Sequence, residues 1–180
     1  RNPEKSMELS LFAALGAGFL ATSIMSLLVE VAIFNGWSQM PSWQLVLGTI
    51  FTGHRDDAMR LGSIMHFAVL GTLIFGTGYA VVLSGFDAPA IWVGAMCGLI
   101  HGTLVGIALG IVGDLHPRTI ELATAGAPAP SDGYVREKEG VRIASPGIFG
   151  VNWGELTPAV IVIAHAVYGL VLAAVYAALS

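Results

Sequence analysis

Apolar positions in this 180-residue chain gather into four long runs, at about 8–35, 62–84, 89–113 and 156–179, with most charged residues confined to the stretches between them. A hydrocarbon core of ~30 Å and a helical rise of 1.5 Å per residue mean that ~20 mainly apolar residues cross a bilayer. Each run is long enough. None alternates in the ten-residue manner of a barrel strand, and an isolated strand would leave its backbone groups unpaired in lipid. The pattern therefore predicts an all-α fold, an integral membrane four-helix bundle forming a single domain over 1–180. The first run is too long for the apolar core of a signal peptide and is read as a span.

The connections complete the topology. SGFDAP (84–89) is a Gly/Asp/Pro turn joining the second and third spans. Four crossings place that turn and both chain ends on one side, and the longer connections 36–61 and 114–155 on the other. The second of these holds TAGAPAPSDGYVREKEGVRIASPG, whose Ala/Pro/Gly/Ser content and mixed charge predict an irregular, solvated loop that a partner could order. Arg55, Arg60, Arg118, Arg136, Lys138 and Arg142 lie on the loop side, against Arg1 and Lys5 on the other, which assigns the loop side to the cytoplasm.

Composition sharpens this reading. Hydrophobic residues make up 55% of the chain and charged residues 11%, against ~25% charged in an ordinary soluble domain. The net charge of -4 provides no basic footprint for nucleic acid. A lone Cys97 inside an apolar run excludes a disulfide or a thiolate metal site within one chain.

Membrane helices associate where small residues let backbones approach. The third span carries Gly94, Gly98, Gly102, Gly106 and Gly110 at four-residue spacing. The second has Ala68, Thr72, Gly76, Ala80 and Ser84, and the fourth Gly169, Ala173 and Ala177. These stripes predict helix-packing faces and a tight bundle. In the first span Gly16, Ser23, Ser26 and Glu30 share a face, so the Glu30 carboxylate either points into the bundle or reaches the loop-side interface.

Candidate chemistry lies with the histidines. His66, His101 and His165 occupy spans two, three and four, at depths of roughly 9, 18 and 15 Å from the loop side, and Glu30 enters from the same side. Facing imidazoles can ligate haem, a His/Glu set can hold a metal ion, and a span histidine can bind a pigment magnesium. His66, His101 and His165 are thus candidate cofactor ligands, and these three with Glu30 candidate metal ligands. The plain alternative is hydrogen bonding between helices by neutral imidazoles. His54 and His116 read as surface histidines, and the tryptophans at 37, 43, 92 and 153, with Tyr79, Tyr168 and Tyr176, as interface markers.

The two halves echo each other. LGTIFTG (47–53) precedes His66 and PGIFGVNWG (146–154) precedes His165, with Phe51 and Phe149 lying 15 and 16 residues ahead of the respective histidine. This suggests a two-helix parallel repeat whose Phe elements dock as short interfacial helices or re-entrant turns. With HF (66–67), DLHPR (114–118) and HAVYG (165–169), the chain resembles a group of uncharacterised bacterial four-span membrane proteins. The resemblance implies a multi-pass protein of the bacterial inner membrane and brings no activity with it.

Three functions are open at this point. No nucleotide-binding, P-loop, HExxH or GxSxG motif is present, which favours a non-catalytic accessory subunit of a larger membrane complex, respiratory or otherwise electron-transferring, in contact with lipid and other membrane subunits. The second is a haem-, metal- or pigment-binding membrane protein using the span histidines. The third is a small proton-coupled transporter using Glu30 and the histidines.

Overall fold

The computed structural model describes residues 9–85, 90–121, 133–137 and 140–180. Four helices in it are long and apolar enough to cross a membrane: Leu11–Phe34, Arg55–Ser84, Ile91–Leu115 and Thr157–Leu179. Residues 86–89 of the SGFDAP turn, and much of the Ala/Pro/Gly-rich part of the 114–155 connection, lie outside the described residues.

Helix α1 (Leu11–Phe34) begins at Ser10, whose hydroxyl accepts a hydrogen bond from the Ala13 N–H at 3.3 Å. Its buried face is a ladder of small residues, Ala13, Ala14, Ala17, Gly18, Ala21 and Thr22. Of the face read from sequence, Ser26 reaches a neighbouring helix at His66 Nε2, whereas Gly16 and Glu30 are exposed and the Ser23 hydroxyl turns back to the Phe19 carbonyl. Alanine is apolar on either side of a helix, so this packing ladder does not stand out from the lipid-like residues around it.

The second long helix is built in three parts. Helix α3 (Arg55–Ser63) leads into a π-helical stretch, Ile64–Gly76, and then α4 (Thr77–Ser84). In the π stretch hydrogen bonds run i→i+5, and its buried residues, His66, Gly71 and Gly76, are five apart. The four-residue stripe expected here does not form a continuous face, since Ala68 is exposed while Gly76 and Ala80 are buried. Five-residue spacing presents Gly71 to Thr22 and Gly76 to Gly18 of α1.

Helix α5 (Ala90–Leu115) and helix α6 (Thr157–Leu179) form the tightest pair. A Cβ on Gly94 would stand 2.3 Å from the Gly169 carbonyl oxygen, and one on Gly98 2.2 Å from that of His165. Lower on the same stripe, Gly106 lies under the Phe149 ring. The glycine ridge therefore serves α6 over one half and the 148–153 segment over the other.

In the described part of the connection 114–155 a small sheet stands where an irregular loop was expected, so the fold is mostly helical with a small sheet rather than all-α. Strands β1 (Thr119–Ile120), β2 (Tyr134–Glu137) and β3 (Gly140–Ala144) pair in the order β1-β3-β2, with β1 parallel and β2 antiparallel to β3. Thr, Ile, Tyr and Val supply the strand preference that a composition dominated by neighbouring Ala, Pro and Gly conceals. A 3-10 segment, Ile148–Trp153, follows, and its Trp153 indole N–H donates to the Ala144 carbonyl at 2.9 Å from full burial. Helix α2 (Trp43–Gly48) lies in the other long connection and packs on α3, where Gly48 meets the Ala58 backbone. The two connections are joined by Gln39 N–H to Trp153 O at 2.6 Å and Val141 N–H to Gly53 O at 2.8 Å.

Both connections therefore contain a short helical element, with different surroundings. Phe51 is exposed, whereas the Phe149 ring packs on Gly106 with its backbone at φ 54.

Candidate functional site

The π stretch, α5 and α6 bring His66, His101 and His165 to the wall of one cavity of about 110 Å³, closed further by Trp43 and Leu47 of α2, Met25 of α1, and Phe75 and Tyr168. The presence of α2 places the cavity at the end of the bundle that carries the two long connections. His66 arrives there through the five-residue register of the π stretch, which keeps it on the face of Gly71. His165 sits beside the Gly98 and Gly102 gap of α5. The His101 and His165 rings meet edge to face, with centroids 4.7 Å apart, and Phe75 covers His101 at 4.1 Å.

Each imidazole has one nitrogen engaged. His165 Nδ1 is 2.8 Å from the Ile161 carbonyl oxygen, which can only accept, so Nδ1 carries the proton and Nε2 is a bare acceptor. Tyr79 Oη is 3.3 Å from His101 Nδ1, and Ser26 Oγ is 3.0 Å from His66 Nε2. Each hydroxyl can donate to the ring nitrogen or accept from it, according to the tautomer of the histidine. Tyr168 donates to the Gly71 carbonyl at 2.7 Å and fixes the cavity wall.

Among the described residues no buried side-chain nitrogen or oxygen lacks a partner. The second nitrogens of the three histidines, which have no hydrogen bond to protein, therefore border open space, and the cavity is the open space these rings line. The site presents one fixed acceptor, His165 Nε2, and the second nitrogens of His66 and His101, each a donor or an acceptor by tautomer, in a wall without a charged side chain.

Glu30 does not join this group; it is exposed in α1 and does not line the cavity. Among the described residues no three His, Cys, Asp or Glu side chains are placed to hold a metal ion. The His101–His165 spacing also fits poorly with axial haem ligation. Metal–nitrogen bonds of about 2 Å on either side would put the ring centres about 6 Å apart, against the 4.7 Å found.

Sequence reasoning missed His116 as a structural group. Its ring is 8% exposed, far from a surface histidine. Its Nδ1 accepts the Arg118 N–H at 3.1 Å, so Nε2 bears the proton and donates to the Val46 carbonyl at 3.0 Å, with Thr49 Oγ1 at 3.3 Å. Burial pushes its pKa below the ordinary 6.5, Arg118 pushes the same way, and the bond to Val46 opposes them. His116 thus ties the end of α5 to α2, the element that closes the cavity. The one signal for it in the sequence is its position just past the last apolar turn. His54 is exposed and pairs with Asp57 at 3.4 Å. Of the expected interface aromatics, Trp153, Tyr79, Tyr168 and Tyr176 are buried core residues, while Trp37 and Trp92 are exposed.

Comparison with protein-family models, with curated proteins and with solved structures finds no match to this chain. The functional reading therefore stands on the cavity.

Proposed function

We propose that this chain is a four-span membrane protein, placed in the bacterial inner membrane with its long connections cytoplasmic, whose histidine-lined cavity binds a small ligand through imidazole hydrogen bonds. The observation that carries the reading is the convergence of His66, His101 and His165, from three helices, on one cavity. Histidines among apolar spans are costly to place and mark ligand or proton sites more readily than surface positions do. Large apolar side chains such as Phe12, Leu27, Leu73, Leu104 and Ile111 stand exposed along the helices, which suits a lipid surrounding. The test is extraction of small molecules from gently purified protein. A compound present in the wild type and missing from a His101→Leu/His165→Leu variant of equal stability supports the site; identical extracts from the two argue against it.

The accessory-subunit reading is compatible with this one. Helices Arg55–Ser84 and Ile91–Leu115 bury much less of themselves than α1 and α6 do, leaving apolar faces for lipid or another membrane subunit. Subunits that co-purify in mild detergent, with a visible spectrum taken on the same sample, would support an electron-transferring complex. A protein that purifies alone and colourless would remove it. The proton-coupled transporter reading loses its carboxylate, since Glu30 stands apart from the histidines; unchanged transport in Glu30→Gln would leave only the imidazoles to carry a proton.

A further inference from the structure

The polarity of the cavity narrows what it can hold. Its wall has no Lys, Arg, Asp or Glu, so an ionised ligand would be buried without a counter-charge, at heavy cost in an apolar surrounding. A fatty acid or phosphate head group is disfavoured on that ground. The side chains that bring polar atoms to its wall are His66, His101, His165, Tyr168 and Trp43, with His165 Nε2 a bare acceptor and the Tyr168 hydroxyl proton already given to Gly71. The aromatic side chains Trp43, Phe75 and Tyr168 also line it, a surrounding that suits an aromatic or quinonoid ring stacked or met edge-on. At 110 Å³ the cavity has room for on the order of eight water-sized groups, about one six-membered ring with two substituent oxygens.

We propose that the ligand is the neutral head group of a lipid-soluble quinone or quinol, a six-membered ring with oxygens on opposite edges. His66 Nδ1 and His101 Nε2, in their N–H tautomers, donate to the quinone carbonyl oxygens, and the bare His165 Nε2 accepts a hydroxyl proton of the quinol. The quinone meets the two donors and the quinol adds the bond to His165, and neither brings charge into the site. This assignment rests on the reading of the cavity as a ligand site and specifies its occupant.

The test uses the full chain in lipid nanodiscs, titrated with a short-tailed 1,4-benzoquinone and, in parallel, with decanol as an apolar alcohol without a ring. Trp43 lines the cavity, so in a Trp37→Phe/Trp92→Phe background quinone binding should quench emission saturably, and decanol should not compete. His66→Leu and His101→Leu should each weaken quinone binding about tenfold, the effect of one lost buried hydrogen bond, and His165→Leu should do so only for the quinol. Leu70→Phe fills the cavity without touching any of these bonds and should abolish saturation while the protein keeps its thermal midpoint, so it decides the matter if a histidine variant does not fold. Quenching that rises linearly with quinone, as simple partitioning would, or saturable quenching indifferent to Leu70→Phe, overturns the proposal. The two readings fail separately. If a non-quinonoid molecule is extracted from the wild type and is missing from the histidine variants, the ring assignment falls and the ligand site stands. If no such molecule is found and quinone does not saturate, both fall.

Discussion

At the scale of single residues, His116 shows how hydrogen bonds fix a protonation state. Its Nδ1 accepts from Arg118 N–H while its Nε2–H serves Val46, and a second proton would put two donors face to face. The folded pKa lies below the unfolded 6.5, so the unfolded chain takes up the proton first as pH falls. The stability His116 contributes is complete above 6.5 and is lost as pH drops below it toward the depressed folded value. We expect His116→Ala to cost about 1–3 kcal/mol at pH 8, chiefly by leaving the Val46 carbonyl unpaired. Thermal melts of the two proteins should converge as pH is lowered toward 5; a gap that stays constant or widens would contradict this linkage. Little of this can be read from the sequence, because DLHPR gives His116 a charged, loop-like neighbourhood and the α2 carbonyl that buries it is 70 residues away. His66, His101 and His165 were legible as a set because each interrupts an apolar run. Glu30 was ambiguous for the same reason reversed, since it lies near the end of its run and solvent or interface can reach it.

At the scale of elements, the glycine stripe of α5 was legible and the register of its neighbour was not. Five glycines at four-residue spacing describe a straight groove whatever fills it, whereas nothing in IMHFAVLGTLIFG announces i→i+5 bonding. Its Gly71 and Gly76 were each visible, but four-residue counting joined Gly76 to Ala68 instead of to Gly71 and His66. Packing and propensity can be separated here. Gly98→Ala would set a methyl 2.2 Å from the His165 carbonyl oxygen and should destabilise by about 1–3 kcal/mol. Gly78→Ala meets nothing within 4 Å and should be neutral or stabilising by up to about 1 kcal/mol, the gain of alanine over glycine within a helix. Denaturation midpoints of the two single variants in one detergent give the comparison, and equal effects would mean that α5 and α6 are not held by this contact. Gly98→Ala should also disturb ligand retention, because the backbone it displaces is that of His165.

At the scale of the whole molecule, the four helices followed from run length alone, while the sheet did not. Strands of two, four and five residues are too short to generate a periodic signal, and their pairing is set by contacts between distant parts of the chain, such as Val141 with Gly53. Those contacts weld the two long connections into one cap over the end of the bundle where the cavity lies, and this cap carries the excess of basic residues. By the bias of cytoplasmic loops toward Lys and Arg, the cap should face the cytoplasm. In a Cys97→Ala background, a cysteine at exposed His54 reports the cap and one at exposed Gly85 reports the opposite end. An impermeant maleimide applied to intact spheroplasts should label Gly85→Cys and spare His54→Cys until the membrane is opened. The reverse pattern would turn the protein over and give the cavity its nearest aqueous exit on the outer face, while labelling of both before lysis would deny that four helices separate the two ends.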